Sequence, residues 1–95
     1  MTENPVVQQH CKIVNKHGLH TRSAAAIVAL ANQFQCTITL ATDSGESDAK
    51  DMIRLMLLEA SMGSTVCISA AGEKAEQAVI AMAELIAAGF NEQED

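Results

Sequence analysis

The fold is decided by residues 11–31, which read CKIVNKHGLHTRSAAAIVALA. The first part alternates side chains between a buried and a wet face, and we place a strand from Val6 to Asn15. After a loop at Lys16–Leu19, apolar residues recur at steps of three and four. That period predicts a helix from Thr21 to Gln33 with one buried stripe. Residues 11–31 therefore predict a strand–loop–helix unit.

Downstream of this unit, the sequence pattern predicts five further elements. They are a strand at 36–41, a turn at 43–45 leading into a short strand at 46–49, a helix at 51–60, a strand at 66–70, and a helix from 75 that stops before a left-handed cap at Gly89. The order β-α-β-β-α-β-α predicts an α+β fold, an open-faced sandwich with a four-stranded, mostly antiparallel sheet and three helices on one face. The acidic tail at 91–95 is expected to be disordered.

Length and composition exclude several classes of function. A chain of 95 residues encloses one core, so we expect a single domain over 1–95. Two phenylalanines, with no tryptophan or tyrosine, leave few rings to stack on bases, and a net charge of −6 repels a phosphate polymer or an anionic membrane. We expect no nucleic-acid partner and no membrane partner. The polar N-terminus lacks the pattern of a signal peptide, which favours a cytoplasmic protein, and we expect a monomer.

Charge is distributed unevenly along the chain, and the positive half contains the candidate site. Residues 1–42 carry +2 and all three histidines, whereas residues 43–95 carry −8. His20 stands immediately before the first predicted helix, where unpaired N–H groups and the helix dipole favour an anion. A neutral imidazole at that place is a nucleophile, and the helix-end field disfavours its protonated form near pH 7. Taken alone, the same residue is also compatible with a helix cap or a solvated loop position.

The cysteines and histidines do not form a pattern typical of a metal site. Cys11, Cys36 and Cys67 are odd in number and lack C-x-x-C spacing, which favours free thiols in a reducing compartment. Cys11 and Cys36 share the alternation phase of core residues, whereas Cys67 falls on the open side of the sheet. His17 and His20 are spaced H-x-x-H without any recognised zinc pattern, so we expect no metal and no cofactor, and His17 is expected beside the site.

The helix predicted at 51–60 has more apolar surface than one buried face requires. If Leu55 and Leu58 face the sheet, then Met52, Ile53 and Met56 remain outside. An exposed, flexible, Met-rich surface suits exchangeable protein contacts. The alternative is that a long loop covers this surface or that the helix is central.

The segment Asn15–Ala24, NKHGLHTRSA, resembles the active-site motif of the HPr family, in which G-L-H-x-R-P-A is the core. These proteins are the histidine-phosphorylatable carriers of the bacterial phosphotransferase system. The element order agrees, residues 49–53 resemble the entry into the family's second helix, and residues 63–72 resemble its last strand. The ending Ala88-Gly89-Phe90, followed by acidic residues, is similar to the nitrogen-related (NPr) branch.

The resemblance implies a phosphoryl relay. His20 would be phosphorylated on Nδ1 by an enzyme I charged from phosphoenolpyruvate and would pass the group to a IIA-type protein. Arg22 would neutralise the phosphate, and the first turn at Thr21 and Ser23 would bind it. The surfaces implied to dock partners contain Ala24, Met52, Ile53 and Met56. The protein would thus be a carrier rather than an enzyme.

Two positions depart from the family pattern. Ser23 replaces the family's proline, which removes a ring that fixes φ and adds an N–H and a hydroxyl that could reach a phosphate. Asp51 stands where kinase-regulated members carry serine, so it is either a helix cap or a permanent negative charge at that place.

Two alternatives stay open at this point. One is a regulatory module of ferredoxin-like topology that binds an anion or a partner without covalent chemistry. The other is a degenerate family member that only binds and regulates a partner.

Overall fold

A computed structural model describes residues 6–92 of the chain. The elements, in chain order, are β1 (Val6–Lys12), α1 (Thr21–Ala31), β2 (Thr37–Thr42), β3 (Gly45–Asp48), α2 (Met52–Leu57), β4 (Thr65–Ala71) and α3 (Ala75–Ala87), followed by a short 3-10 turn (Gly89–Asn91). The strands form one sheet in the order β1-β4-β2-β3, and every pairing in it is antiparallel. The predicted fold class is confirmed.

Alternation along the central strands separates a core face from an open face. On β4, Val66, Ile68 and Ala70 are buried, whereas the residues between them are partly exposed. Because side chains of a strand point to opposite faces in turn, one face of the sheet meets the helices and the other remains open. Burial of Cys36 and packing of Cys11 beside the core follow the same alternation.

The first strand and the first two helices are shorter than the sequence pattern predicts. β1 ends at Lys12 rather than Asn15, and α1 ends at Ala31 rather than Gln33. α2 ends at Leu57 because Glu59 adopts a φ of 52°, which no right-handed helix can continue. The apolar pattern of residues 51–60 therefore spans a short helix and the turn that follows it.

That turn fixes the loop in front of α1. The Leu19 N–H donates to the carbonyl oxygen of Ala60 at 2.8 Å. Gly18 adopts a φ of +64°, and a Cβ at this position would lie 2.3 Å from the same oxygen. The loop and the end of α2 approach so closely that only glycine fits there.

Three consecutive residues after α3 have positive φ and reverse the chain. They are Gly89 at 66°, Phe90 at 59° and Asn91 at 58°, and the left-handed cap predicted at Gly89 is confirmed. The Phe90 side chain is buried, which fastens the reversal to the core. Asn91 and Glu92, both in the tail expected to be disordered, have defined positions here, and residues 93–95 lie outside the described part.

Candidate functional site

His20 lies at the N-cap of α1 with its ring accessible to solvent. Its backbone is extended, with φ −144° and ψ −171°, and its side chain is 35% exposed. Nδ1 accepts the N–H of Arg22 at 3.4 Å and also the N–H of Ser23. The ring therefore stands against the free N–H groups of the first turn, as the sequence predicts, and Nδ1 is the nitrogen that faces them.

Ser23 has a different task from the one predicted for its side chain. It is fully buried, and its hydroxyl accepts the His20 N–H at 2.9 Å and donates to the Gly18 carbonyl at 2.9 Å. These bonds complete a capping box around the helix start. The hydroxyl is thus committed to the backbone, so the phosphate binding predicted for Ser23 would use its N–H. The Ser23 N–H still faces the site.

The other ring nitrogen contacts a carboxylate that sequence reasoning missed. His20 Nε2 lies 2.7 Å from Glu92 Oε2, and Asn15 Nδ2 donates to Glu92 Oε1 at 3.0 Å. Asn15 is buried, and the Glu92 side chain is 4% exposed although it belongs to the acidic tail. Apart from the turn signal at Gly89, no local pattern indicates this contact, because it joins residues more than 70 positions apart.

The Glu92 carboxylate is held in its charged form. Burial alone would raise the pKa of Glu92, but the hydrogen bonds from Asn15 and His20, with the charges of His20 and Arg22, outweigh it. Its pKa is therefore lowered from the ordinary value of 4.5. A permanent negative charge stands behind the ring on the side opposite the helix end.

An open cleft at the ring is lined by basic and polar side chains and by one carboxylate. His17, His20, Thr21, Arg22 and Glu92 form its walls. The His17 ring meets the His20 ring edge to face with centroids 5.8 Å apart, so His17 lies beside the site as predicted. Thr21 and Arg22 are exposed on the first turn of α1, within reach of an anion bound there. The side of the cleft formed by Thr21 and Arg22 at the helix start suits a small anionic group.

The exposed apolar surface beside the site differs in part from the prediction. Leu55 and Leu58 are buried and Ile53 is 72% exposed, as expected, and Met56 is also exposed. Two other residues differ from the expectation in their burial, because Met52 packs partly against the core and Ala24 is fully buried in α1. Leu57 and Met62 are exposed and were missed. We call Ile53, Met56 and Leu57 the α2 patch.

Asp51 is the cap of α2. Its Oδ1 accepts the Arg54 N–H at 3.1 Å, and its backbone is extended in the way an N-cap requires. The cap interpretation of Asp51 is thus confirmed.

Within residues 6–92, no group of three or more His, Cys, Asp or Glu side chains is arranged to hold a metal ion. In the same part of the chain, no helix has the length and apolar character to cross a bilayer.

Comparison with known proteins places this geometry in a family. A family model described as the PTS HPr component phosphorylation site matches residues 7–88. The phosphocarrier protein HPr of Cupriavidus necator is 35% identical over 89 residues, which cover 94% of this chain and 100% of that protein. The phosphocarrier protein NPr of Escherichia coli K12 is 33% identical over 87 residues, which cover 90% and 97%. The crystal structure of HPr-C-His from Thermoanaerobacter tengcongensis superposes with a TM-score of 0.86 at 35% identity and covers 93% of this chain and 99% of that one. The chain belongs to the HPr family of phosphotransferase-system phosphocarriers.

Proposed function

We propose that this chain relays a phosphoryl group from an enzyme I charged by phosphoenolpyruvate to a IIA-type acceptor, with His20 as the carrier residue. The observation that carries the proposal is the placement of Nδ1. It is the ring nitrogen that faces the N–H groups of Arg22 and Ser23 at the start of α1. The side chain is also 35% exposed, so a second protein can reach it.

The transfer follows from this placement. The Nδ1 lone pair of the neutral ring attacks the phosphorus of the donor as the bond to the donor breaks. The new phosphoryl oxygens lie at the helix start, where the N–H groups and the dipole stabilise negative charge. Arg22 and Thr21 border the same cleft and contribute a guanidinium and a hydroxyl. His20 ends the step as a phosphohistidine that the next protein attacks in turn, so one carrier moves one phosphoryl group per cycle.

The α2 patch is the surface on which both partners dock. Ile53 and Leu57 are 72% and 64% exposed, and the Leu19–Ala60 hydrogen bond ties the end of α2 to the loop that presents His20. A partner seated on exposed apolar side chains of this kind would have its own reactive group close to the ring. Because the carrier meets two proteins in succession, the contact has to be weak, and a patch of this small size fits that requirement.

We assign the protein to the nitrogen-related branch. The support is the ending Ala88-Gly89-Phe90 and the presence of NPr proteins among its relatives, although HPr proteins occur beside them. The relay places the protein in the cytoplasm, where phosphoenolpyruvate is available, and we expect it to act as a monomer.

Incubation with phosphoenolpyruvate and purified enzyme I proteins of the two branches tests the proposal. We expect one added phosphate by intact-mass measurement, which is lost in mild acid and survives base, and none in His20→Ala. The enzyme I that charges the wild type faster identifies the branch. Failure of both to label the folded wild type, or persistence of the label in His20→Ala, would overturn the relay. Tight binding of inorganic phosphate without covalent label would instead support a non-covalent anion-binding module.

A further inference from the structure

A chain of three polar side chains runs from the protein interior to the His20 ring. Asn15 Nδ2 donates to Glu92 Oε1 at 3.0 Å, and Glu92 Oε2 lies 2.7 Å from His20 Nε2. Asn15 is 2% exposed and the Glu92 side chain 4%, so water competes poorly for these bonds. The chain ends at the ring nitrogen that does not face the helix start.

The direction of every bond in this chain is fixed. Asn15 Nδ2 also donates to the Gly18 carbonyl at 2.8 Å, so both of its neighbours are acceptors and the amide has only one acceptable orientation. That orientation leaves the buried Asn15 Oδ1 without a partner among the described residues, which is a cost in free energy. Since an ionised carboxylate only accepts, the proton of the neutral His20 ring is on Nε2. Nδ1 then carries the lone pair and accepts from the N–H groups of α1.

We infer that Asn15 and Glu92 are positioning residues that select Nδ1 as the accepting nitrogen and keep a proton on Nε2 throughout the transfer. The inference rests on the proposed relay. When Nδ1 attacks phosphorus, the ring becomes positively charged, and the Glu92 carboxylate compensates that charge from behind. When the P–N bond later breaks, its electron pair returns to Nδ1. Because Nε2 has kept its proton, the group that leaves is a neutral imidazole rather than an imidazolate.

The carboxylate comes from outside the part of the chain that matches the family model. That match ends at residue 88, whereas Glu92 follows the reversal at Gly89–Asn91. The left-handed φ of Phe90 is costly for a bulky residue with a Cβ, and burial of its side chain keeps it in place. The Glu92 side chain follows this strained segment directly and contacts the His20 ring. We therefore interpret the strain as the cost of placing Glu92 at the site.

The test uses the unphosphorylated protein and therefore does not depend on the relay. ¹⁵N NMR of the imidazole near pH 7 reports which nitrogen carries the proton. We expect the Nε2–H form in the wild type and in the control Glu84→Gln, which changes an exposed glutamate on α3. In Glu92→Ala, the ratio of the two neutral forms should shift toward Nδ1–H by about tenfold, as expected for loss of a charge-assisted hydrogen bond. In Glu92→Gln, the Asn15 NH₂ group donates to the amide oxygen of the new side chain, which places the NH₂ group of that side chain against Nε2. The ratio of the two neutral forms should therefore shift toward Nδ1–H by at least as much as in Glu92→Ala.

A second measurement identifies the nitrogen that accepts phosphate without any partner protein. Phosphoramidate, a small phosphoryl donor, is added to each variant, and ³¹P–¹⁵N correlation identifies the linkage. We expect Nδ1 linkage in the wild type and about tenfold more Nε2 linkage in Glu92→Ala. Equal tautomer ratios and equal linkage in the wild type and both Glu92 variants would overturn the inference, even if enzyme I labels all of them. A shifted tautomer in a protein that enzyme I does not label would support the inference and refute the relay.

Discussion

Gly18→Ala is the substitution that most directly tests how the loop before α1 is held. Gly18 lies two residues before His20, and its N–H donates to the Asn15 carbonyl at 3.2 Å. A methyl group at this position would lie 2.3 Å from the Ala60 oxygen and 2.8 Å from the Ser61 Cα. Both neighbours are backbone atoms, so no rotation of a side chain can relieve the clash. The loop and the 59–61 turn have to separate.

The expected cost is large for a protein of this size. Positive φ at alanine costs about 1–2 kcal/mol, and overpacking against fixed backbone costs about 1–3 kcal/mol more. Separation also breaks the 2.8 Å Leu19–Ala60 hydrogen bond, which contributes about 1 kcal/mol. We expect a loss of about 3–6 kcal/mol from a total stability of about 5–15 kcal/mol. In a domain of this length, that loss corresponds to a drop in Tm of about 12 °C or more.

The assay is urea denaturation followed by circular dichroism, with Gly63→Ala as the matched control. Gly63 has a φ of +94° and no atom within 4 Å of an added Cβ. Its variant therefore carries backbone strain without a clash. The φ of Gly18, +64°, is nearer to the left-handed minimum than the φ of Gly63, +94°. Backbone strain alone would therefore destabilise the Gly63→Ala variant more than the Gly18→Ala variant. We expect the opposite order, by at least about 2 kcal/mol.

The result that refutes the reasoning is a Gly18→Ala variant that is as stable as Gly63→Ala. Such a result would mean that the 59–61 turn yields easily and does not fix the loop before His20. At temperatures where Gly18→Ala remains folded, we also expect slower acceptance of phosphate, because the displaced loop carries His20 away from the helix start.

Three further predictions address the docking surface, the α2 cap and the buried carboxylate. Ile53→Glu should slow transfer from enzyme I by about tenfold or more while the free energy of unfolding changes by less than about 0.5 kcal/mol. Ile80→Glu, at a 49% exposed site on α3, is its control, and equal transfer rates in the two variants would exclude the α2 patch as the docking site. Asp51→Ala should lower stability by about 1 kcal/mol, and Asp51→Asn by clearly less, because asparagine is also a good N-cap; equal losses in urea denaturation would contradict the cap. The pKa of Glu92 is lowered from 4.5, so its carboxylate stabilises the folded state fully above about pH 4.5, and this contribution is lost as the pH falls through the lower folded value. The stability difference between the wild type and Glu92→Gln should therefore be greatest near pH 7 and shrink in acid, and a difference that is constant from pH 7 to pH 3 would refute this.

The elements near His20 could be predicted because their signals are local. The step of three and four residues along α1 and the alternation along β4 are each visible within one segment. The place of His20 at the helix start follows from the same pattern. Asp51 as a cap follows from its residue type just before an apolar run. Each of these features needs only neighbours within a few positions.

The failures have the opposite character. The helix period itself places Ala24 on the buried α1 stripe with Ile27, and only its place in the motif implies a docking surface. The α2 helix ends early because Glu59 becomes left-handed, and nothing in the residue type demands that. The sequence predicts a frayed tail at Glu92 because the partners of this residue, Asn15 and His20, are at the other end of the chain. Such contacts depend on tertiary packing, which periodicity cannot predict.

Ser23 shows how a departure from the family motif can preserve the geometry that the motif provides. A proline at this position would fix one φ angle in the first turn of α1. The Ser23 hydroxyl instead holds the His20 N–H at 2.9 Å and the Gly18 carbonyl at 2.9 Å, and it thereby clamps the residues on both sides of Leu19. Serine also retains an N–H that proline lacks, and this N–H joins that of Arg22 at Nδ1. When His20 is phosphorylated, the same two N–H groups can donate to the phosphoryl oxygens instead of the Nδ1 lone pair. The N–H groups at the start of α1 therefore keep a hydrogen-bond acceptor in both states of the carrier.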